Sequence, residues 1–328
     1  MNYGEDSTFK LILILTFSGK MILILSDIGD RHADRVESIL QQNTAEYSRL
    51  NLDSDSAKSI LVRTEDNSFR IEAPNCSFST SQIDAVWNSS TYFDPFIEER
   101  PIRDTNYLIW KENWNKTLGG LFSSLESTKW LNFSEDFYGE NRFHQLAMSK
   151  NTGLKWPSYI CSNDINYLNS FFGTRKESLL ELMDQGCTEK ALGDCIGNCG
   201  GLLNTSFCES KSEINCPLTK NAYMVRCSVV GNEYFIGKIR ANLDKEGKII
   251  ESITNNYTAI HPPKDIKLKA IQIMNELNLT HGVFDFIVTD NSEWFFDALN
   301  PIGQYQWVED IRGNDISSSI AKWLMMNN

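Results

Sequence analysis

No stretch of this chain concentrates lysine and arginine, no apolar run is long enough to span a bilayer, no Cys-x-x-Cys pair occurs, and nothing repeats at solenoid length. Each absence removes a class of function. With 31 Lys and Arg against 43 Asp and Glu, a net charge of −12, there is no positive stripe to neutralise a phosphate backbone, so nucleic acid is excluded as a partner. The most apolar stretch, Leu11 to Leu25, is split by Ser18-Gly19-Lys20 and is too short on either side to cross a membrane. Met1 to Lys10 carries Glu5 and Asp6 and lacks the basic start of a signal peptide, which puts the chain in the cytoplasm. Reducing conditions there disfavour disulfides. Cys187, Cys195, Cys199, Cys208 and Cys216 form a cluster without zinc-ligand spacing and read as unligated thiols. Asn-x-Ser/Thr triplets, for example at Asn88 and Asn278, carry no information in a cytosolic chain.

What is present is an ordinary globular composition, 41% apolar and 23% charged over 328 residues, enough for two or three lobes. Met21-Ile-Leu-Ile-Leu-Ser is a continuous apolar run of the kind a parallel strand buried on both faces requires. A helical segment from Arg35 to Gln42 and a strand over Asp84 to Trp87 make residues 21–95 a small alternating β/α lobe. Residues 1–20 read as an upstream extension. Leu108, Trp110, Trp114, Leu118 and Leu121 recur at helical spacing, and Glu140 to Lys150 is a second helix that Gly153 can close. Gly186 to Pro217 is polar and glycine-rich and reads as a mobile loop. Tyr223 to Val230 and Tyr234 to Arg240, turning at Gly231-Asn232, form a hairpin. Helices over Asp265 to Leu277 and Ile316 to Met325 flank two further strands, Phe284 to Thr289 and Trp294 to Leu299.

Asp285 and Asn300 fall on those last two strands and can meet across the turn between them. Hard oxygen donors so paired suit magnesium held together with nucleotide phosphates. On spacing alone, an Asp and an Asn capping turns at strand ends is the favoured reading. The longer string Gly282-Val-Phe-Asp-Phe-Ile-Val through Phe296-Asp-Ala-Leu-Asn-Pro-Ile-Gly-Gln-Tyr-Gln-Trp-Val-Glu resembles the carboxyl-terminal signature of microviridin-type ATP-grasp ligases, also called graspetide synthetases. Trp130-Leu-Asn, Asn141-Arg-Phe-His-Gln-Leu-Ala and Gly153-Leu-Lys-Trp-Pro extend the resemblance upstream, so that it covers about residues 21 to 328.

The resemblance implies a mixed α/β (α+β) ATP-grasp fold: a pre-ATP-grasp α/β lobe over residues 21–128, a central lid lobe over 129–222, and a carboxyl-terminal antiparallel sheet with helices over 223–328. It implies ATP and Mg2+ as cofactors, and activation of a carboxylate to an acyl phosphate that a hydroxyl or amine then attacks. It implies a precursor peptide with a helical leader as partner, and a homodimer. Carried across residue by residue, Asp285, Asn300 and, one position from the family's acidic ligand, Asp297 are the metal candidates. Lys190, Arg142, Gly200 and Gly201 are the nucleotide-phosphate candidates, and Arg226, with Lys238 and Arg240 on the next strand, faces the transferred phosphate.

The pattern departs from the family in four places. Ala298 stands where the family has a metal-binding Glu, and strict alternation would point Asp297 to the opposite face unless a bulge re-aims it. Arg142 replaces a lysine. Asn88-Ser89-Ser90 replaces an aromatic-and-arginine motif, and only Leu218 to Ala222 separates Pro217 from Tyr223, a short hinge for adenine contacts. A ligase crosslinking a precursor peptide is therefore set against a catalytically weak relative that binds a peptide or partner, with Ala298 beside Asp297 as the feature that separates them. An ordinary carboxylate-amine ligase acting on small metabolites is a third reading, less favoured because Asn300-Pro-Ile-Gly-Gln is more typical of the peptide-modifying branch.

Overall fold

The computed structural model describes residues 21–89, 105–125, 128–133, 142–156, 158–162, 179–182, 208–212, 223–239, 242–243, 249–250, 260–289, 291–303, 305, 308–310 and 315–326. The expected extension over residues 1–20 lies outside them.

The amino-terminal lobe is built on a parallel sheet of β1 (Met21–Ser26), β2 (Tyr47–Asn51), β6 (Ile83–Asn88) and β7 (Lys129–Leu131), in the order β2-β1-β6-β7. The apolar run of β1 is explained by its neighbours. Ile22 and Ile24 enter a core on one face, Leu23 and Leu25 a second core on the other, and all four are buried. The second face is covered by α3 (Thr105–Ser123) through Leu118, Leu121 and Phe122. An antiparallel sheet of β3 (Leu61–Glu65), β4 (Ser68–Ala73) and β5 (Cys76–Ser79) adds Ile71 and Phe78 to that core. The first face is covered by α1 (Arg31–Gln42), which starts four residues before its apolar periodicity suggests. Asp30 caps that start by accepting from the backbone N–H groups of His32 and Ala33. A short helix, α2 (Ser54–Ala57), follows β2.

The carboxyl-terminal sheet is antiparallel: β11 (Tyr223–Val230), β12 (Glu233–Ile239), β15 (His281–Val288) and β16 (Trp294–Asn300), in the order β12-β11-β15-β16. On its second face Val230, Phe235 and Val283 join the core shared with α1, and Ile287 and Phe295 form a small buried cluster, while its first face is apolar along its length. Val225, Cys227, Val229, Phe284, Phe286, Phe296 and Leu299 pack there against α5 (Lys264–Glu276) and against Leu146 of α4 (Arg142–Lys150). The last helix, α6 (Asp315–Met325), leaves this lobe to pack on α1, so Ile316, Ile320 and Leu324 share a core with Ile24 and Val36.

Two further sheets are described: β8 (Ser158–Ser162), β9 (Leu179–Leu182) and β10 (Cys208–Ser212), in the order β8-β10-β9, and the pair β13 (Asn242–Leu243) and β14 (Ile249–Ile250). β10 falls inside the stretch read from sequence as a mobile loop. A polar strand paired on both sides gives no apolar alternation by which to find it. The rest of the 186–217 stretch lies outside the described residues. Among the described residues, Cys76 and Cys227 are free thiols, no helix is long and apolar enough to cross a membrane, and no group of three or more His, Cys, Asp and Glu side chains is placed to hold a metal ion.

Candidate nucleotide and metal site

On the second face of the antiparallel sheet, between buried Val283 and Ile287, two sequence-predicted residues meet. Arg226 on β11 is registered directly opposite Asp285 on β15. Its Nε donates to Asp285 Oδ1 at 2.7 Å and its Nη2 to Oδ2 at 2.9 Å, a two-pronged charge-assisted contact with both side chains partly exposed. The alternation of the strands explains the placement: Val225, Cys227, Phe284 and Phe286 take the core face, which leaves Arg226 and Asp285 on the other.

The next strand carries the departure from the family pattern. Asp285 is registered with Ala298, but Phe286 is registered with Phe296, so Asp297 is an extra residue in β16 and the pair is bulged there. Phe296 and Leu299 both lie in the core. Counting forward from Phe296 puts Asp297 on the Asp285 face, and counting back from Leu299 puts Ala298 there, so the bulge lets both share it. The bulge thus reverses the strict-alternation expectation and brings a carboxylate to the side from which Ala298 removes one. Asp297 is buried, at 3% exposure.

Asn300 ends β16 opposite Val283 and is exposed. Its Oδ1 accepts from Ile302 N–H at 2.9 Å, and Gly303 N–H donates back to the Asn300 carbonyl. Gly303 is required by this turn, because a Cβ there would sit 2.6 Å from Val283 Cβ and 3.1 Å from Asn300 Cβ. Asp285, Asp297 and Asn300 therefore offer two carboxylates and an amide oxygen along one sheet face, which is the hard-oxygen chemistry that Mg2+ takes when phosphates complete its shell.

The remaining candidates are less defined. Arg142 is the first residue of α4, and Lys238 lies on β12 registered against Val225, one residue out of step with Arg226, whose partner there is Gly237. Lys190, Gly200, Gly201 and Arg240 lie outside the described residues, as does the hinge over 218–222.

Sequence reasoning passed over the seam beside this site. His281, at the start of β15, is fully buried and its pKa is lowered to about 4, chiefly by burial. Tyr305 lies against it and against His32 of α1, with ring centroids 5.7 and 4.2 Å away. Burial lowers the His32 pKa as well and raises that of the Tyr305 phenol. Glu309, fully buried, accepts from Ser317 N–H and Oγ and pairs with Arg35 of α1 at 2.8 Å. No periodicity marks such a seam, because its members come from four separated segments.

No family model matches the chain, and no curated protein matches it by sequence. Solved structures do. The macrocyclase MdnC from Microcystis aeruginosa, bound with its precursor peptide MdnA, superposes with a TM-score of 0.74 at 18% identity over 94% of this chain and 100% of that one. A Chryseobacterium gregarium ATP-grasp ligase, associated with ribosomally made peptides and in complex with ADP and a leader and core peptide, gives 0.71 at 20% identity over 93% and 96%. D-alanyl-alanine synthetase A from Vibrio cholerae gives 0.57 at 14% identity over 94% and 99%. The fold of this chain is the ATP-grasp fold.

Proposed function

We propose that this ATP-grasp chain is an ATP-dependent ligase that closes ester or amide rings between side chains of a ribosomally made precursor peptide. The observation that carries the reading is the polar cluster set among buried apolar residues on one sheet face: Arg226 and Asp285 in contact, Asp297 turned to the same side by the bulge, and Asn300 fixed at its end. The likeness to ligases solved with ADP and with precursor peptides supports it.

In this reading Asp285, Asp297 and Asn300 hold Mg2+, which neutralises phosphate charge when bound. Arg226 leaves Asp285 for the phosphate being transferred, so the ion pair keeps both groups in place until nucleotide arrives. Lys190, Arg142, Gly200 and Gly201 contact the nucleotide phosphates. A carboxylate oxygen of the peptide attacks the γ-phosphorus of ATP and ADP leaves. A hydroxyl oxygen or amine nitrogen of the same peptide then attacks the acyl carbon, phosphate leaves, and the attacking group loses its proton. The peptide is lighter by one water per ring. The reaction belongs to the cytosol, where ATP and unmodified precursor meet.

The test works even while the peptide is unidentified. Peptide mass spectrometry compares the native host with a host carrying Arg226→Ala. The expected result is a peptide lighter by one or more waters in the parent that reverts to its unmodified mass in the variant. No such pair would favour the second reading, a peptide-binding relative weakened by Ala298.

A further inference from the structure

Among the described residues β16 is an edge strand, and the segment that carries Asp297 and Asn300 has no neighbouring strand on its outer side. A backbone N–H and C=O left unpaired beside a buried side chain are costly, and Leu299 is only 3% exposed. One buried side-chain amide bonds the backbone on that outer side, and a second ties the chain just past the end of β16 to the start of β15. Gln145 of α4, at 2% exposure, accepts from Leu299 N–H at 3.0 Å through Oε1 and donates to the Leu299 carbonyl through Nε2. On the other side of the bulge, Phe296 N–H donates to the Lys155 carbonyl at 2.7 Å. Asn132, in the left-handed region at φ 61°, donates through Nδ2 to the Pro301 and His281 carbonyls at 2.8 and 2.7 Å and accepts from Thr280 and His281 N–H through Oδ1 at 2.9 and 3.0 Å. The backbone is thus held on both sides of the bulge and immediately before and after Asn300.

We propose that Gln145 and Asn132 are positioning residues for the metal ligands of β16, acting as a clamp that holds the bulge bearing Asp297 and the Asn300 side chain at a fixed place on the sheet face. The proposal rests on the nucleotide and metal reading above. It also ties that strand to α4, because Gln145 lies one helical turn after Arg142. Nucleotide contact at the start of the helix and metal contact at the end of the strand then share one rigid link.

The experiment measures Mn2+ affinity by electron paramagnetic resonance in the presence of saturating ADP for the wild type, Gln145→Ala, Asn300→Ala and the double variant. Amide hydrogen exchange over residues 294–303 is read on the same proteins. The expected result is faster exchange in Gln145→Ala, Mn2+ binding weakened roughly tenfold, and a double variant weakened by less than the two single effects combined. Faster exchange with unchanged Mn2+ affinity, or equal weakening in both backgrounds, overturns the positioning role. Exchange that Gln145→Ala leaves unaltered overturns the clamp itself. A wild type that binds no Mn2+ while the segment stays protected overturns the metal reading, and the role of Gln145 with it. Should Gln145→Ala fail to fold, Gln145→Glu carries the same measurement, since its carboxylate still accepts from Leu299 N–H and only the donor to the Leu299 carbonyl is lost.

Discussion

The two four-stranded sheets of this protein use their faces differently. The parallel sheet buries both, with Ile22 and Ile24 on one side of β1 and Leu23 and Leu25 on the other. The antiparallel sheet packs one face with Phe284, Phe286 and Phe296, and opposite those rings it carries Arg226, Asp285 and Ala298. Where folding consumes every face of a sheet, its residues are committed to stability. Where charged residues interrupt an otherwise buried face, as Arg226 and Asp285 do beside Val283 and Ile287, the interruption can carry charge and bind. Substitutions in the two sheets should therefore separate by what they change.

The largest effect belongs to the parallel sheet. Leu25→Ala, at a fully buried position, is expected to lower unfolding free energy by about 2–5 kcal/mol in denaturant titration while leaving the nucleotide affinity of the folded fraction intact. A change in affinity as large as the loss of stability would break the comparison.

The seam between the sheets comes next. His281 has a folded-state pKa of about 4 against 6.5 when unfolded, and the His32 pKa is also lowered. Below pH 6.5 the unfolded chain therefore binds protons that the folded chain refuses. The stabilisation is fully present above that pH and is lost as pH falls toward 4. For His281 it amounts to on the order of 3 kcal/mol. Denaturation midpoints followed from pH 7 to pH 4 should fall along this course, and His281→Asn should flatten it.

On the face of Arg226 and Asp285, Asp297→Ala is expected to weaken binding of Mn2+ with ADP about tenfold, or ~1.4 kcal/mol. Ala298→Glu should tighten it, because it restores the carboxylate at the position registered with Asp285. A silent Asp297→Ala with a tighter Ala298→Glu would show that the bulge does not replace the missing ligand. The smallest effect is at the cap of α1. Asp30→Ala removes the acceptor for two backbone N–H groups and for Ser89 Oγ, and should cost about 1 kcal/mol of stability.

Much of this was legible in the chain. The apolar run of β1, the hairpin around Gly231-Asn232 and the final helix follow from periodicity and turn chemistry. Asp285 and Arg226 were named from the strings around them and lie in contact. What escaped is non-local. Whether Asp297 faces Asp285 depends on a register shift that neither strand encodes alone. The clamp by Gln145 and Asn132 joins residues more than a hundred positions apart. The sheet of β3, β4 and β5 went unread because its strands alternate weakly, with exposed or half-buried positions dominating.

The most direct test of the account is calorimetric titration of ATP with Mg2+ into the wild type and into Asp285→Ala and Arg226→Ala, with thermal unfolding checked for each. The account predicts binding by the wild type that both substitutions weaken at least tenfold while the chain stays folded. A folded wild type that takes up no nucleotide would contradict it.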